Sequence, residues 1–181
     1  MRLEDFDTGT TYQARVLSSQ RITAEEAEEV RELVLEVDRQ HFDYQPGQSV
    51  GVIVSGEHDQ GHKHHFRLYT VADTAPREDN GKPRVTLCVK RCNYIDDYSG
   101  ERYQGIASNY LCDLREGDTL TINGPFGMPF EVPEDKDADL LLIGMGTGIA
   151  PFRALVKHIY QDVKDWRGRI RLFYGAQSGL E

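Results

Sequence analysis

The sequence predicts an antiparallel β-barrel followed by the opening unit of a parallel α/β sheet, and three observations carry that prediction. From residue 12 to residue 125, short runs of alternating apolar and polar residues recur between turns rich in Gly, Pro, Asn and Asp, the pattern of a closed antiparallel sheet. At residues 133–137 (PEDKD) the pattern changes, and Leu140-Leu141-Leu142-Ile143 reads as a continuous apolar strand buried on both faces. That strand runs into Gly144-Met145-Gly146-Thr147-Gly148 and a helical stretch headed by Pro151. Strand, glycine turn and helix in this order begin a doubly wound nucleotide-binding domain. Residues 1–134 are assigned to the first domain and residues 135–181 to a partial second one.

The elements follow in order. A first strand is expected over 12–22 (YQARVLSSQRI). Thr23-Ala24-Glu25-Glu26 has capping-box spacing and predicts one short helical turn reaching Glu29. Leu33, Leu35 and Val37 alternate with Val34, Glu36 and Asp38, so a strand with a mostly wet second face comes next. Tyr44-Gln45-Pro46-Gly47-Gln48 is a turn into a strand over 49–54. His58, His62, His64 and His65, set among Gly56 and Gly61, read as a solvated hairpin, since no Cys or carboxylate completes a metal-ligand spacing. Strands over 66–72 and 85–90 flank a loop over 73–83, and a polar excursion bearing tyrosines occupies 91–102. Ser108 takes a natural N-cap position ahead of Leu111 and Leu114. Residues 119–123 form the last barrel strand. Beyond the composition change, a helix is predicted over 151–163 and a strand over 170–174. Two strands and one helix leave at least one sheet face without cover.

Bulk properties exclude some classes. The chain has 181 residues, 39% of them hydrophobic, enough for one generous domain or one domain and part of another. The formal net charge of −9 argues against a nucleic-acid partner, which calls for a basic face. No apolar run approaches membrane-spanning length. The first residues lack the apolar stretch of a secretory signal, so a cytoplasmic location is the default. Cys88, Cys92 and Cys112 contain no CxxC pair and give an odd count, against a disulfide framework. Cys88 and Cys92 are expected on one strand face, each as a small buried hydrophobe.

The chemistry concentrates at Arg67-Leu68-Tyr69-Thr70. In an extended chain, Arg67 and Tyr69 point to one face and Leu68 to the other. A guanidinium for phosphate, a ring to stack on and a hydroxyl at the reacting edge suit a flat, anionic cofactor. The same residues also alternate on the wet face of ordinary strands. The glycine turn has GxGxG spacing rather than GxGxxG; lying before a helix N-terminus, it is either a phosphate site or a tight connection. Ser108 stands in the same position: a cradle of N–H groups and a hydroxyl, or a plain helix cap.

Taken together and in order, RLYT, CVKRCNY, GIASNYLCDL, GPFG and GMGTGIAPF resemble the plant-type ferredoxin–NADP⁺ reductase family, over about residues 42–175. The resemblance implies a Greek-key barrel that holds FAD. It makes Arg67 a pyrophosphate contact, Tyr69 the ring against isoalloxazine with Leu68 beside it, and Thr70 the hydroxyl near flavin N5. It places backbone of Cys88 and Val89 by the flavin, turns Lys90 toward the phosphates of the nicotinamide nucleotide, and stacks Tyr94 on adenine. Ile106, Ala107 and Ser108 would cradle the FAD pyrophosphate, and Gly146, Thr147 and Gly148 would receive NADP or NAD. Met145 departs from the family, which usually has Thr there. The segment that grips the adenosine 2′-phosphate has no counterpart in these residues, so the choice between NADP and NAD is not legible. The implied function is hydride transfer between NADP(H) and FAD, with one-electron exchange to ferredoxin or a similar iron–sulfur carrier. A reductase component of an oxygenase and a non-catalytic FAD-binding subunit are the alternatives. An acidic barrel would need a local basic patch for ferredoxin, with Lys82, Arg84, Lys90 and Arg91 as its candidates.

Overall fold

A computed structural model describes residues 9–58, 62–74, 82–95 and 98–176. Among them are ten strands and two α-helices. In chain order these are β1 (Tyr12–Arg21), β2 (Val30–Val37), β3 (Ser49–His58), β4 (His62–Thr70), β5 (Arg84–Lys90), β6 (Asn93–Ile95), β7 (Arg102–Gln104), α1 (Ile106–Asp113), β8 (Thr119–Phe126), β9 (Leu140–Met145), α2 (Ala150–His158) and β10 (Ile170–Gly175).

Six antiparallel strands make one sheet in the order β4-β3-β8-β1-β2-β5. The period-2 pattern is what curls it, because every strand offers one apolar face to the same interior. Ala14 and Val16, Leu33, Leu35 and Val37, Val50 and Val52, Val85, Leu87 and Val89, and Leu120 and Ile122 are buried in one cluster. The two edges of the sheet meet just past β4, where Val71 bridges Leu87 and Ala72 N–H donates to Thr86 O at 2.8 Å. The predicted barrel is borne out, joined at this point by a single bridge. One end is plugged by α1, whose Ala107, Leu111 and Cys112, with Leu114 beyond, enter the same core.

Several local expectations change. Residues 23–29 form turns rather than a helical turn. The reason is Arg21, whose guanidinium donates to the carbonyls of Thr23, Ala24, Glu25 and Ala27, the acceptors a helix would have used itself. Thr23 Oγ1 instead donates to Glu28 O and accepts from Val30 N–H. The N-cap of α1 is Gly105, so Ser108 is the third helical residue and not the cap. Cys92 lies beyond the end of β5 and is exposed, whereas Cys112 is the buried thiol and Cys88 is intermediate. The histidine-bearing segment is a hairpin of β3 and β4, with His58 opposite His62. Its tip at 59–61 and the side chains of His58, His62 and His64 lie outside the described residues.

The α/β unit pairs β9 with β10 in parallel, Leu140 opposite Ile170 through Met145 opposite Gly175. Helix α2 has Pro151 in its first turn and continues as a π-helical segment, Ile159–Val163. It covers one face through Leu142, Leu155 and Ile159. The other face is open: Leu141, Ile143, Met145 and Phe173 are all exposed. The strand read as buried on both faces is therefore buried on one.

Leu87 is fully buried and pairs at the barrel seam. Leu87→Ala should cost about 2–5 kcal/mol through the lost contacts and residual cavity. Urea unfolding measures it, and an unchanged midpoint would mean that the core does not run through the seam.

Candidate functional site

A groove of about 560 Å³ opens between β4, the start of α1 and the β6–β7 hairpin, and Arg67, Leu68, Tyr69, Cys92, Tyr94 and Ile106–Ser108 line it. Arg67 is exposed and donates to Phe66 O at 3.1 Å; among the described residues it forms no ion pair. Tyr69 is half-buried against the barrel core, and burial, with smaller contributions from Cys92 and Cys112, pushes its phenol up to about 12. The ring is therefore neutral at ordinary pH. Tyr94 stacks on Tyr103 across the hairpin, centroids 5.4 Å apart, which leaves its outer face to solvent.

The N-terminus of α1 faces the same space. It has no side-chain cap, so its first-turn N–H groups are available to an anion. The Ser108 hydroxyl is otherwise engaged: it accepts from Cys92 N–H at 3.2 Å and donates to Gly105 O at 3.2 Å. A side chain at Gly105 would meet Ser108 Oγ at 2.9 Å and Cys92 O at 3.0 Å, so glycine is what allows the hairpin base to lie this close to the helix. Asn109 Nδ2 donates to Cys92 O and Gly105 O, both at 2.8 Å. Arg91 completes the tether, donating to Asn109 Oδ1 at 2.9 Å, Glu29 Oε2 at 2.6 Å and Asp113 Oδ1 at 2.8 Å. These residues hold the open helix end in place, and sequence reading missed Glu29 and Asn109 because their partners are remote in the chain.

A second cleft, of about 230 Å³, lies between the barrel and the α/β unit. Cys88, Lys90, Gly146, Thr147, Glu28 and Tyr174 are among the residues that line it. Gly146 has φ +50 in the turn after β9, and Gly148 sits exposed one residue beyond Thr147. The expected residues thus divide into two groups on either side of the barrel seam. Thr70 ends β4 outside the groove lining, and its hydroxyl lies 3.0 Å from Ser49 Oγ, a partner not anticipated from sequence. Val89 points into the barrel core and is paired with Arg31 of β2.

The basic patch considered for docking is largely neutralised. Lys82 pairs with Asp38, Lys90 with Glu28, and Arg91 with Glu29 and Asp113.

A flat anionic ligand fits what the groove offers: a guanidinium without an ion pair among the described residues, an uncapped helix N-terminus and two rings with accessible faces. Fold and site together define a six-stranded antiparallel barrel with a groove suited to a flat anionic ligand, joined to a parallel α/β unit. A family profile described as oxidoreductase FAD-binding domain matches residues 15–130, and one described as oxidoreductase NAD-binding domain matches residues 142–180. The chain belongs to this FAD-binding oxidoreductase family. Its relatives bear out the resemblance to ferredoxin–NADP⁺ reductases. It is 37% identical over 171 residues to ferredoxin–NADP reductase of Synechocystis sp., covering 92% of this chain and 41% of that protein. It is also 37% identical over 177 residues to the chloroplastic ferredoxin–NADP reductase of Spinacia oleracea, covering 96% and 47%. The ferredoxin–NADP⁺ reductase of Plasmodium falciparum shares the fold, with a TM-score of 0.73 at 19% identity over 97% of this chain and 62% of that one. The chain spans about half the length of the curated relatives it matches.

Glu29 tests the tether. Its carboxyl is held below the ordinary value of 4.5 chiefly by the hydrogen bond from Arg91, with Arg31 adding to it and burial opposing. A depressed folded value stabilises the fold fully above 4.5, and the contribution disappears as pH falls through the lower folded value. Glu29→Gln should therefore be less stable at neutral pH and lose less on acidification, measured by urea midpoints from neutral pH to about 3. Parallel pH curves for the two proteins would refute the assignment.

Proposed function

We propose that this chain forms the FAD-binding part and the leading nucleotide-binding part of a flavoprotein reductase. The reaction is hydride transfer between NADP(H) and FAD, with one-electron exchange to ferredoxin or a similar iron–sulfur protein. The observation that carries this reading is the convergence on one groove of Arg67, which forms no ion pair among the described residues, the Tyr69 ring and the uncapped start of α1.

Bound FAD supplies the conversion between two-electron and one-electron chemistry. Arg67 and the N–H groups of Ile106, Ala107 and Ser108 hold its pyrophosphate. Tyr69, kept neutral by burial, gives a ring face to the isoalloxazine with Leu68 beside it. Tyr94 gives its outer face to adenine, the inner one being taken by Tyr103. Thr70, oriented by Ser49, offers its hydroxyl to the reacting edge. Across the seam, Cys88 and Val89 contribute backbone. Lys90, Gly146, Thr147 and Gly148 receive the phosphates of the nicotinamide nucleotide, which must draw Lys90 from Glu28. The domain boundary belongs at residues 134/135. Three free thiols suit a reducing compartment, and we place the chain in the cytoplasm.

Anaerobic titration with NADPH, and then with NADH, tests the reading. Bleaching of the visible flavin band is expected. Protein that stays colourless after incubation with FAD overturns the flavin site; bound flavin that neither nucleotide reduces leaves a non-catalytic FAD-binding subunit. Arg67→Ala should lose about 1.5–3 kcal/mol of FAD affinity, as for a charge-assisted hydrogen bond. Equal flavin retention in that variant would put the phosphate elsewhere. Thr70→Ala should keep FAD and slow its reduction by NADPH. Weakened FAD binding at an unchanged rate would reverse the role given to that hydroxyl.

A further inference from the structure

Helix α2 is fastened to the barrel through its own cations. Arg153 Nε donates to Ala72 O at 2.8 Å, Nη1 donates to Glu32 Oε2 at 2.5 Å, and Nη2 lies 3.8 Å from Asp73 Oδ2. One turn on, Lys157 Nζ reaches both Asp73 oxygens, at 2.8 and 2.6 Å. Beside Arg153, Phe152 stacks on Phe130 of the segment leaving β8, centroids 5.8 Å apart. The anchor points are informative. Ala72 and Asp73 directly follow the seam residue Val71, and Glu32 sits opposite Cys88 in the sheet. On the other side, α2 begins where the turn Gly146–Ile149 ends. Whatever fixes α2 therefore fixes the spacing of Gly146 and Thr147 from Cys88 and Lys90 across the cleft.

We propose that Arg153 and Lys157 are positioning residues for hydride transfer, setting the width of that cleft by holding α2 to Glu32 and Asp73. This rests on the reading that the nicotinamide nucleotide enters there. The side chains of Arg153 and Lys157 are 41% and 43% exposed, so each pair alone is weak and screened by salt. Acting on one helix and sharing Asp73, the pairs form a unit, and units respond non-additively to mutation.

The test uses the FAD-loaded chain in four forms: parent, Arg153→Gln/Lys157→Gln, Glu32→Gln/Asp73→Asn, and all four substitutions together. Each pair should slow FAD reduction at saturating NADPH on the order of tenfold, with flavin retention and visible spectrum unchanged. The fourfold variant should fall no further. Raising NaCl from about 0.05 to about 0.5 M should slow the parent toward the variants and leave the variants unaffected. Amides of α2 and β9 should exchange faster in each pair, again without further change in the fourfold variant. Multiplying losses, α2 exchange as slow as in the parent, or a rate indifferent to both salt and mutation would each overturn the proposal. If NADPH fails to reduce the parent itself, the reductase reading falls; amide exchange then decides the clamp independently, because it needs no turnover.

Discussion

The pairing of Val71 with Leu87 joins two strands that the order of the sheet leaves at opposite edges. An open sheet would leave the N–H and C=O groups of β4 and β5 unpaired, and would leave the apolar faces of all six strands without an interior. Bringing the two edges together at Val71 and Leu87 gives the apolar faces a common interior and also creates the site. It puts Tyr69 and Thr70 on one flank of the seam and Cys88 on the other, although about twenty residues of chain separate them. The groove and the cleft are the two sides of that seam. Helix α1 then fills the end of the barrel, so its N-terminus can open only toward β4 and the hairpin.

Electrostatics in this acidic chain follow a consistent division. Most cations near the site are used internally: Arg21 on the carbonyls of the β1–β2 turn, Arg91 on Glu29, Asn109 and Asp113, Lys90 on Glu28, and Arg153 and Lys157 on Glu32 and Asp73. Arg67 differs, pointing into the groove without a carboxylate among the described residues. A guanidinium left without a counter-charge beside an uncapped helix end is a preorganised anion site, because neither group must break an internal ion pair to bind. Lys90 is in the opposite condition, and an incoming phosphate must compete with Glu28. In the proposed function, the two clefts would therefore hold their anions under different terms, one suited to a resident group and the other to an exchanging one.

The tethering of α1 shows why backbone donors can be precise without a side-chain cap. Ser108 and Asn109 spend their hydrogen bonds on Cys92 and Gly105, at the base of the β6–β7 hairpin, and Arg91 holds Asn109 from behind. The helix start is immobilised from behind, and its first-turn N–H groups remain directed at the groove. The buried Cys112, its thiol pushed up to about 11 by burial, belongs to the same packing and stays protonated and inert at ordinary pH.

What the sequence determined by itself was whatever repeats locally. Alternation at Leu33, Leu35 and Val37 or at Val85, Leu87 and Val89 is legible because one buried face imposes a period of two on every strand. The change to Leu140–Ile143, the glycine turn and Pro151 is legible because helix entry and parallel pairing have local chemistry. The groove residues Arg67, Tyr69 and Ile106–Ser108 were legible as motifs in order. What only the tertiary structure decided was which partner each polar group would take. The capping box at Thr23 lost to Arg21, the hydroxyl of Ser108 turned to Cys92, and the basic patch at Lys82, Lys90 and Arg91 was neutralised by carboxylates of the β1–β2 turn, the residue after β2 and the end of α1. Arg153 found Glu32 some 120 residues earlier in the chain. Ion pairs and hydrogen bonds of this kind depend on distance in space, and chain order carries no periodic signal of it; burial alternation does, because every residue along a strand meets the same two environments in turn.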